Sequence, residues 1–178
     1  MTLLHAVTDQ QANADQQQLF AAVKAALGVT PNLMRTVGQS PAALQGYLSL
    51  NAALGQGLLP VALRERIALA VAQFNGCEYC LSAHSYLAKN VAKLSDEAIH
   101  AARQFEAMDV KTTAALRFVN EVLTTRGQVA ESSVAAVLAA GFNQGEVVEL
   151  VLNVALNVLT NYVNNVARTD IDFPHVRA

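Results

Sequence analysis

The feature that most constrains this chain is the regular spacing of helix-capping and helix-breaking residues between its apolar segments. Ser40 directly precedes Pro41, and Asn143 lies three residues before Glu146; both patterns are typical of the first turn of a helix. Gly28 follows an apolar segment at the kind of position where a helix ends. Few β-branched residues alternate with polar ones, so strands are not expected. We therefore predict an all-α fold, a bundle of about eight helices.

These residues also give approximate bounds for each predicted helix. The helices cover Gln11–Leu27, Pro41–Leu54, Val61–Phe74, Leu81–Lys89, Ser95–Phe105, Lys111–Thr125, Ser132–Ala140 and Gln144–Ala167, with a short piece after Thr30-Pro31. The segment Val61–Phe74 is apolar on nearly every face, which is typical of a central, buried helix. The tail from Asp170 to Pro174 is predicted to be extended.

Composition supports a single domain over residues 1–178, a length that fits one compact unit. The chain contains 32 alanines, and hydrophobic residues make up 53% of it against 15% charged residues. Typical domains have roughly 45–50% and 25%. Because charged residues are too few to cover the surface of a monomer, we predict that part of the surface is buried between subunits of an oligomer.

Charge and hydropathy exclude several classes of partner. The net charge is −2 and no basic run is present, so nucleic acid is not expected. The start, Met1–Ala6, lacks the basic and continuously apolar stretches of a secretory signal. Two long uncharged segments, Thr36–Leu63 and Leu150–Ala167, are interrupted by glycine and proline or by asparagine, which do not suit lipid-facing helices. We predict a cytoplasmic protein with no membrane partner, in which the only two cysteines remain available for chemistry.

The residues that suggest chemistry fall in one stretch, Glu65-x11-Cys77-x2-Cys80-x3-His84. On a helix, both sulfurs and the imidazole share an arc of about 60°. Cys80 and His84 are four residues apart, so the imidazole can take the thiol proton or stabilise a thiolate. The pattern predicts a nucleophile beside a base.

The position of the cysteine pair after Gly76 predicts that both thiols lie at the start of a helix. Free backbone N–H groups and the helix dipole stabilise an anion there, whereas an ordinary thiol is only about 3% ionised at pH 7. A disulfide between residues three apart is sterically routine in a first turn, so Cys77 can resolve an oxidised Cys80. Such a cycle needs no metal.

Glu65 belongs to the preceding helix, where its neighbours on the same face are apolar. A carboxyl in such surroundings either pairs with another group or holds its proton more tightly, which suits proton transfer to and from His84 or a thiol. The alternative is an ion pair with an arginine of another helix. Spacing alone does not show which contact forms.

Other interpretations of the same residues stay open. The cysteines could be two small buried hydrophobic residues, or could bind zinc together with His84 and Glu65 in a metal-stabilised assembly module. Three histidines have no partner at a suggestive spacing and are predicted to lie on the surface: His5, His100 and His175. Four asparagines recur at intervals of four in the last helix and are predicted to bond to neighbouring helices or subunits: Asn153, Asn157, Asn161 and Asn165.

The stretch resembles the alkylhydroperoxidase D-like branch of the carboxymuconolactone decarboxylase family, whose redox members carry Glu-x11-Cys-x2-Cys-x3-His. All four positions match, at Glu65, Cys77, Cys80 and His84. The resemblance covers about Pro31 to Pro174 and includes Arg66–Val71, the asparagine-rich last helix and the tail Asp170–Pro174.

The resemblance implies an all-α homotrimer or homohexamer that reduces a small hydroperoxide, with a thiol or lipoyl-type dithiol as reductant and no bound cofactor or metal. It also implies that Cys80 attacks the peroxide, that Cys77 is its disulfide partner, and that His84 and Glu65 relay protons. Some redox members have a histidine where this chain has Tyr79, which can donate a hydrogen bond but is a poor base.

The decarboxylase branch of the family implies a different activity. Its members share the fold but generally lack the cysteine pair, so the two sulfurs favour redox chemistry. The alternative function is a lyase or decarboxylase acting on a small lactone or keto acid, with Glu65 or His84 as the acid–base group.

Overall fold

The computed structural model describes residues 1–178 and contains nine α-helices and no strand. In chain order the helices are α1 (Ala14–Leu27), α2 (Asn32–Val37), α3 (Pro41–Gly55), α4 (Val61–Phe74), α5 (Glu78–Asn90), α6 (Asp96–Arg103), α7 (Val110–Thr125), α8 (Glu131–Ala139) and α9 (Gln144–Ala167). The predicted all-α fold is confirmed. The helix beyond the predicted eight is α2, which is the short piece predicted after Thr30-Pro31.

Two helix starts differ by three residues from the sequence prediction because of capping side chains. The first helix begins at Ala14 rather than at Gln11, because Asn13 accepts a hydrogen bond from the Gln16 backbone while the Gln16 side chain accepts one from the Asn13 N–H. The fifth begins at Glu78, three residues before the predicted start, because Cys77 is its cap. The predicted caps of α3 and α9 are present.

The fourth helix is the centre of the bundle, as its apolar sequence predicts. It packs against α5, α6, α7 and α9. Ile67, Leu69 and Val71 are fully buried within it, and burial of each such side chain contributes roughly 1.5–3 kcal/mol to folding. Packing on several sides therefore fixes the position of α4, the helix that carries Glu65.

The ninth helix is the longest, with 24 residues, and packs on α3, α4, α5 and α7. It is the one helix with the length and composition to cross a membrane, and 39% of its most apolar window is buried inside the protein. Its inner face carries buried asparagines, including Asn157, Asn161 and Asn164. Through Asn161 and Asn164, this inner face bonds to the rest of the bundle.

The C-terminal tail crosses the first turns of α5. The Asp172 carboxylate accepts hydrogen bonds from the Tyr79 hydroxyl (2.8 Å) and from the Asn32 N–H (2.8 Å). Phe173 packs edge-on against the Tyr79 ring, and the Val176 N–H donates to the Ser82 hydroxyl. The tail thereby holds α5, the helix whose first turn contains both cysteines, in place.

Candidate active site

A tight turn between α4 and α5 positions the two cysteines. Gly76 has φ +61°, in the left-handed region that glycine adopts without strain. Its N–H donates to the Gln73 carbonyl, and the Cys77 N–H donates to the Ala72 carbonyl at 2.9 Å. This pair of bonds is the Schellman motif, which ends α4 and places Cys77 directly at the start of the next helix.

The two cysteines occupy the first turn of α5 and are joined as a disulfide, with their Cα atoms 5.3 Å apart. The Cys77 sulfur is the N-terminal cap and accepts a hydrogen bond from the Cys80 N–H at 3.3 Å. The predicted pairing at a helix start is thus present. In the reduced protein the same N–H group and the helix dipole favour a thiolate at Cys77.

The Cys80 sulfur has a different hydrogen-bond donor, the side-chain amide of Asn164 on α9. The Asn164 Nδ2 atom lies 3.3 Å from the Cys80 sulfur in a buried setting. Its Oδ1 atom is buried and has no partner, so it is free to accept a proton carried on that sulfur. The amide can therefore bond to Cys80 in either protonation state.

Sequence reasoning missed Asn164 because it followed a strict interval of four residues to Asn165. A helix has 3.6 residues per turn, so the buried face continues from Asn157 through Asn161 to Asn164. Asn165 lies on the exposed side and donates to the Asn75 carbonyl. The prediction of interhelical bonds holds for Asn161 and Asn165, whereas Asn157 bonds to its own helix, as does Asn153.

We expect Asn164→Leu to lower the thiolate fraction of the reduced protein at pH 7. A hydrogen bond to a charged group contributes roughly 1.5–3 kcal/mol, which corresponds to a shift of about one to two pH units in the titration midpoint toward higher pH. Absorbance at the thiolate band during a pH titration measures this. Asn157→Leu is the matched control, a buried amide that does not contact sulfur; equal midpoints in both variants would contradict the assignment.

Glu65 and His84 form a direct pair between α4 and α5. The His84 Nδ1 atom lies 2.8 Å from the Glu65 Oε2 atom. The His84 side chain is 24% exposed and the Glu65 side chain is 15% exposed, so solvent reaches the pair. The carboxylate contacts this histidine and no arginine, and His84 makes no hydrogen bond to either sulfur in the oxidised state.

Tyr47 on α3 lies close enough to Glu65 for their charges to interact. Burial raises the pKa of Tyr47 to about 12, and the negative charge of Glu65 adds to the increase. The phenol therefore keeps its proton throughout the physiological pH range. Sequence reasoning did not identify this neutral phenol near Glu65.

Tyr79, the residue directly before Cys80, faces the tail. Its hydroxyl donates to Asp172 and accepts from the Leu33 N–H at 3.1 Å. Burial raises the pKa of the Tyr79 phenol above its ordinary value, and the Asp172 carboxylate acts in the same direction. Tyr79 is accordingly a structural hydrogen-bond donor that anchors the tail.

Both sulfurs are buried within the protomer, with Cys77 0% and Cys80 2% exposed. A cavity of about 540 Å³ lies between α5, α6 and the tail, lined by residues such as Tyr86, Lys89 and Arg103, and does not include the sulfurs. A reactant therefore needs a local opening to reach Cys80. The sulfur is not surrounded by hydrocarbon alone, because the Asn164 amide faces it.

Two other sequence interpretations concern a zinc site and the three remaining histidines. No group of three or more His, Cys, Asp or Glu side chains is arranged to hold a metal ion, so the four motif residues do not converge as a zinc set. His175 is half-exposed and pairs with Glu78 at 3.0 Å, a contact that sequence spacing did not indicate. His5 and His100 are exposed, as predicted.

Comparison with known families bears on the segment that carries all four motif residues. Residues 41–123, from α3 into α7, match the model of the carboxymuconolactone decarboxylase family. This segment, a little under half of the chain, is similar to that family. The resemblance noted from the motif is therefore confirmed at the level of the family. No curated protein matches the chain at a significant level.

Solved structures with the same fold include two bacterial proteins described as peroxidase-related. The one from Ralstonia eutropha JMP134, an alkylhydroperoxidase AhpD core, is 21% identical with a TM-score of 0.85, and the alignment covers 97% of this chain and 93% of that one. The one from Silicibacter sp. TM1040 is 20% identical with a TM-score of 0.80, covering 93% and 91%. The chain therefore has the AhpD-like fold.

A third similar structure is the debrominase Bmp8 in complex with 2,3,4-tribromopyrrole. It is 20% identical with a TM-score of 0.80, and the alignment covers 97% of this chain and 92% of that chain. Because a shared fold does not determine a reaction, the chemistry of this chain has to be argued from its own site residues.

Proposed function

We propose that this protein is a thiol-dependent hydroperoxide reductase that uses Cys77 and Cys80 as its redox couple. The observation that carries the proposal is the disulfide-forming pair at the start of α5, with a separate hydrogen-bond donor on each sulfur. His84, which pairs with Glu65, follows Cys80 by one turn of α5. Similarity to the carboxymuconolactone decarboxylase family supports a peroxidase-related or decarboxylase-like activity, and the sulfurs favour the former.

In the proposed reaction the Cys80 thiolate attacks one oxygen of the hydroperoxide, and the O–O bond breaks. Cys80 becomes a sulfenic acid, and the other oxygen leaves as an alcohol after taking a proton. Cys77 then attacks the Cys80 sulfur, which releases water and forms the disulfide. A thiol or lipoyl-type dithiol returns both sulfurs to thiols by exchange and is itself oxidised to a disulfide.

Glu65 and His84 serve this sequence as the proton relay. A carboxylate that accepts the Nδ1 proton orients the imidazole and leaves Nε2 available for a second partner. His84 follows Cys80 by one turn, so Nε2 can exchange protons with the thiol or with the leaving oxygen once the disulfide is open. Partial exposure of the pair supplies the route to solvent protons.

The burial of Cys80 favours small hydroperoxides as substrates. Only 2% of this residue is exposed, so a bulky oxidant requires a larger local opening than hydrogen peroxide does. We further propose that the enzyme is cytoplasmic and homo-oligomeric, as a trimer or hexamer, and acts without bound cofactor or metal, and without nucleic-acid or membrane partners.

The second candidate is a lyase or decarboxylase that acts on a small lactone or keto acid. The observation that favours it is the direct Glu65–His84 contact, an acid–base pair that needs no sulfur. The two candidates differ in their dependence on thiols. Alkylation of both reduced cysteines leaves a lyase activity intact and abolishes peroxide reduction.

Intact-protein mass spectrometry after brief peroxide exposure of the reduced protein tests the proposed redox cycle. We expect the mass to fall by two hydrogens in the wild type, with the new bridge between Cys77 and Cys80 in the peptide map. Cys77→Ser should instead gain one oxygen, because the sulfenic acid has no resolving partner. A protein that keeps both thiols under these conditions would rule out the peroxide-reductase function.

A further inference from the structure

Two buried amide atoms on α9, beside the cysteine pair, have no hydrogen-bond partner: the Nδ2 atom of Asn161 and the Oδ1 atom of Asn164. Asn161 is 0% exposed and Asn164 is 3% exposed, so bulk solvent satisfies neither. Buried polar groups in folded proteins nearly always have a partner, because an unmade hydrogen bond costs folding free energy. Two such atoms at one place therefore point to a ligand.

Neighbouring side chains fix the direction in which each amide faces. The Asn161 Oδ1 atom accepts a hydrogen bond from the Asn75 side chain at 3.0 Å, which leaves the Nδ2 donor directed elsewhere. The Asn164 Nδ2 atom donates to the Cys80 sulfur at 3.3 Å, which leaves the Oδ1 acceptor open. Because Asn75 lies two residues before Cys77, both amides border the turn that carries the cysteines.

The two open atoms are complementary, since one is a donor and the other an acceptor, yet they do not bond to each other. Residues three apart on a helix have their Cβ atoms about 5–6 Å apart, so one small molecule between the amides can contact both. The other buried side-chain atoms without a partner are three hydroxyls and one guanidinium nitrogen, in Thr36, Ser85, Thr169 and Arg66. Hydroxyls rotate and both donate and accept. Only the two asparagines present a fixed donor beside a fixed acceptor.

A hydroperoxide carries the groups that this donor and this acceptor can bind. Its terminal O–H donates one hydrogen bond, and each of its two oxygens accepts. A disulfide has no O–H group, and neither has a lactone, so neither of these satisfies the open acceptor of Asn164. The two amides thus favour a substrate with an O–H group, next to the sulfur proposed to attack it.

We propose that Asn161 and Asn164 bind the hydroperoxide and orient it for attack by Cys80. This inference rests on the proposed peroxide-reductase function. The Asn164 Nδ2 atom stays bonded to the thiolate while Oδ1 accepts the terminal O–H, so one amide holds the nucleophile beside the oxygen that it attacks. The Asn161 Nδ2 atom donates to the second oxygen, which gains negative charge as the O–O bond breaks.

Both contacts act in one displacement. An electron pair of the Cys80 sulfur forms the S–O bond, and the electrons of the O–O bond remain on the leaving oxygen. The terminal proton stays on the transferred oxygen, which gives the sulfenic acid, and the leaving oxygen takes a proton from His84 to become the alcohol. The sulfur is oxidised and the peroxide is reduced by the same electron pair. Loss of one donor to a developing oxyanion slows a reaction by roughly 10²–10³-fold.

The rates at which Cys80 reacts with two reagents test the assignment. Hydrogen peroxide uses both amides, whereas iodomethane reacts with the same thiolate and has no hydrogen-bonding group. In a Cys77→Ser background only Cys80 can react, and mass spectrometry follows the gain of an oxygen or of a methyl group. Asn161→Leu is expected to lower the rate constant for peroxide by about 10²-fold and to leave that for iodomethane unchanged.

Asn157→Leu is the matched control, because the Asn157 Nδ2 atom bonds within its own helix to the Asn153 carbonyl. Both of its rate constants should equal those of the parent. Asn161→Ser provides a second test should Asn161→Leu fold poorly by circular dichroism. Asn164→Leu is expected to slow both reagents, because it lowers the thiolate fraction, and to slow peroxide by a further factor of about 10².

The ratio of the two rate constants decides the outcome. An Asn161 variant that slows both reagents equally, or neither, overturns the assignment, and this is the result expected if the amides hold only a structural water. Equal losses for both reagents in Asn164→Leu overturn the role of its Oδ1 atom. If Cys80 with both asparagines present is methylated but does not react with peroxide, the peroxide-reductase function fails, and this assignment fails with it.

Discussion

Replacing Cys80 by serine is expected to lower hydroperoxide consumption by about 10³-fold or more, because a hydroxyl cannot accept the oxygen in the first step. The serine retains a hydrogen-bond partner in Asn164, so the fold should persist. The measurement is the rate of peroxide loss with a dithiol reductant in excess. Turnover equal to that of the wild type would remove Cys80 as the attacking group.

Cys77→Ser is the matched comparison for this variant. It retains the attacking sulfur and loses the resolving one, so one equivalent of peroxide should be consumed rapidly before turnover slows. The serine hydroxyl can still accept the Cys80 N–H at the helix cap. If Cys77→Ser is the variant that loses the first equivalent and Cys80→Ser retains it, the two sulfurs have the opposite roles.

Glu65→Gln is expected to reduce the rate of the thiol reaction by about 10²–10³-fold, within the range that general acid–base catalysis supplies. The amide keeps a hydrogen bond to His84 but loses the negative charge that stabilises a protonated imidazole. The rates of Glu65→Gln and of the wild type should therefore be compared across pH. The ratio of the two rates should be largest at the pH values at which the reaction requires a protonated imidazole. Glu78→Gln removes the same charge beside the cysteines, but from a side chain that pairs with His175, and should leave the rate nearly unchanged.

The same substitution has a second readout at Tyr47. Because the charge of Glu65 raises the pKa of this phenol, its removal should lower that pKa from about 12, while burial, the larger cause, keeps it above the ordinary value near 10. Absorbance of the tyrosinate band during alkaline titration follows it. A Tyr47 titration that does not move, together with an unchanged rate, would show that the carboxylate does not act in the site.

Local sequence was sufficient to predict the part of the site that lies on α5. The interval of three and four residues places Cys77, Cys80 and His84 on one side of a helix start, and Gly76 marks where that helix starts. Local sequence did not predict the contacts between helices. Glu65 was identified as a carboxyl that needs a partner, but the partner became clear only when α4 and α5 were packed together.

Two of the contacts that sequence reasoning missed depend on packing over long sequence distances. Asn164 reaches Cys80 from 84 residues away, and Asp172 reaches Tyr79 from 93 residues away. Neither contact leaves a local pattern. The asparagines of α9 gave a partial signal, and the helical repeat of 3.6 residues, applied in place of a fixed interval of four, selects Asn164.

The short turn at Asn75-Gly76 has a consequence for insertions and deletions in this family. One extra residue between the two helices rotates α5 by about 100° about its axis. The cysteines can keep their mutual distance and their cap after such a change, but His84 moves away from Glu65. A relative with an intact Cys-x2-Cys and a longer or shorter interval from the glutamate should thus retain a redox-active disulfide while losing its proton supply.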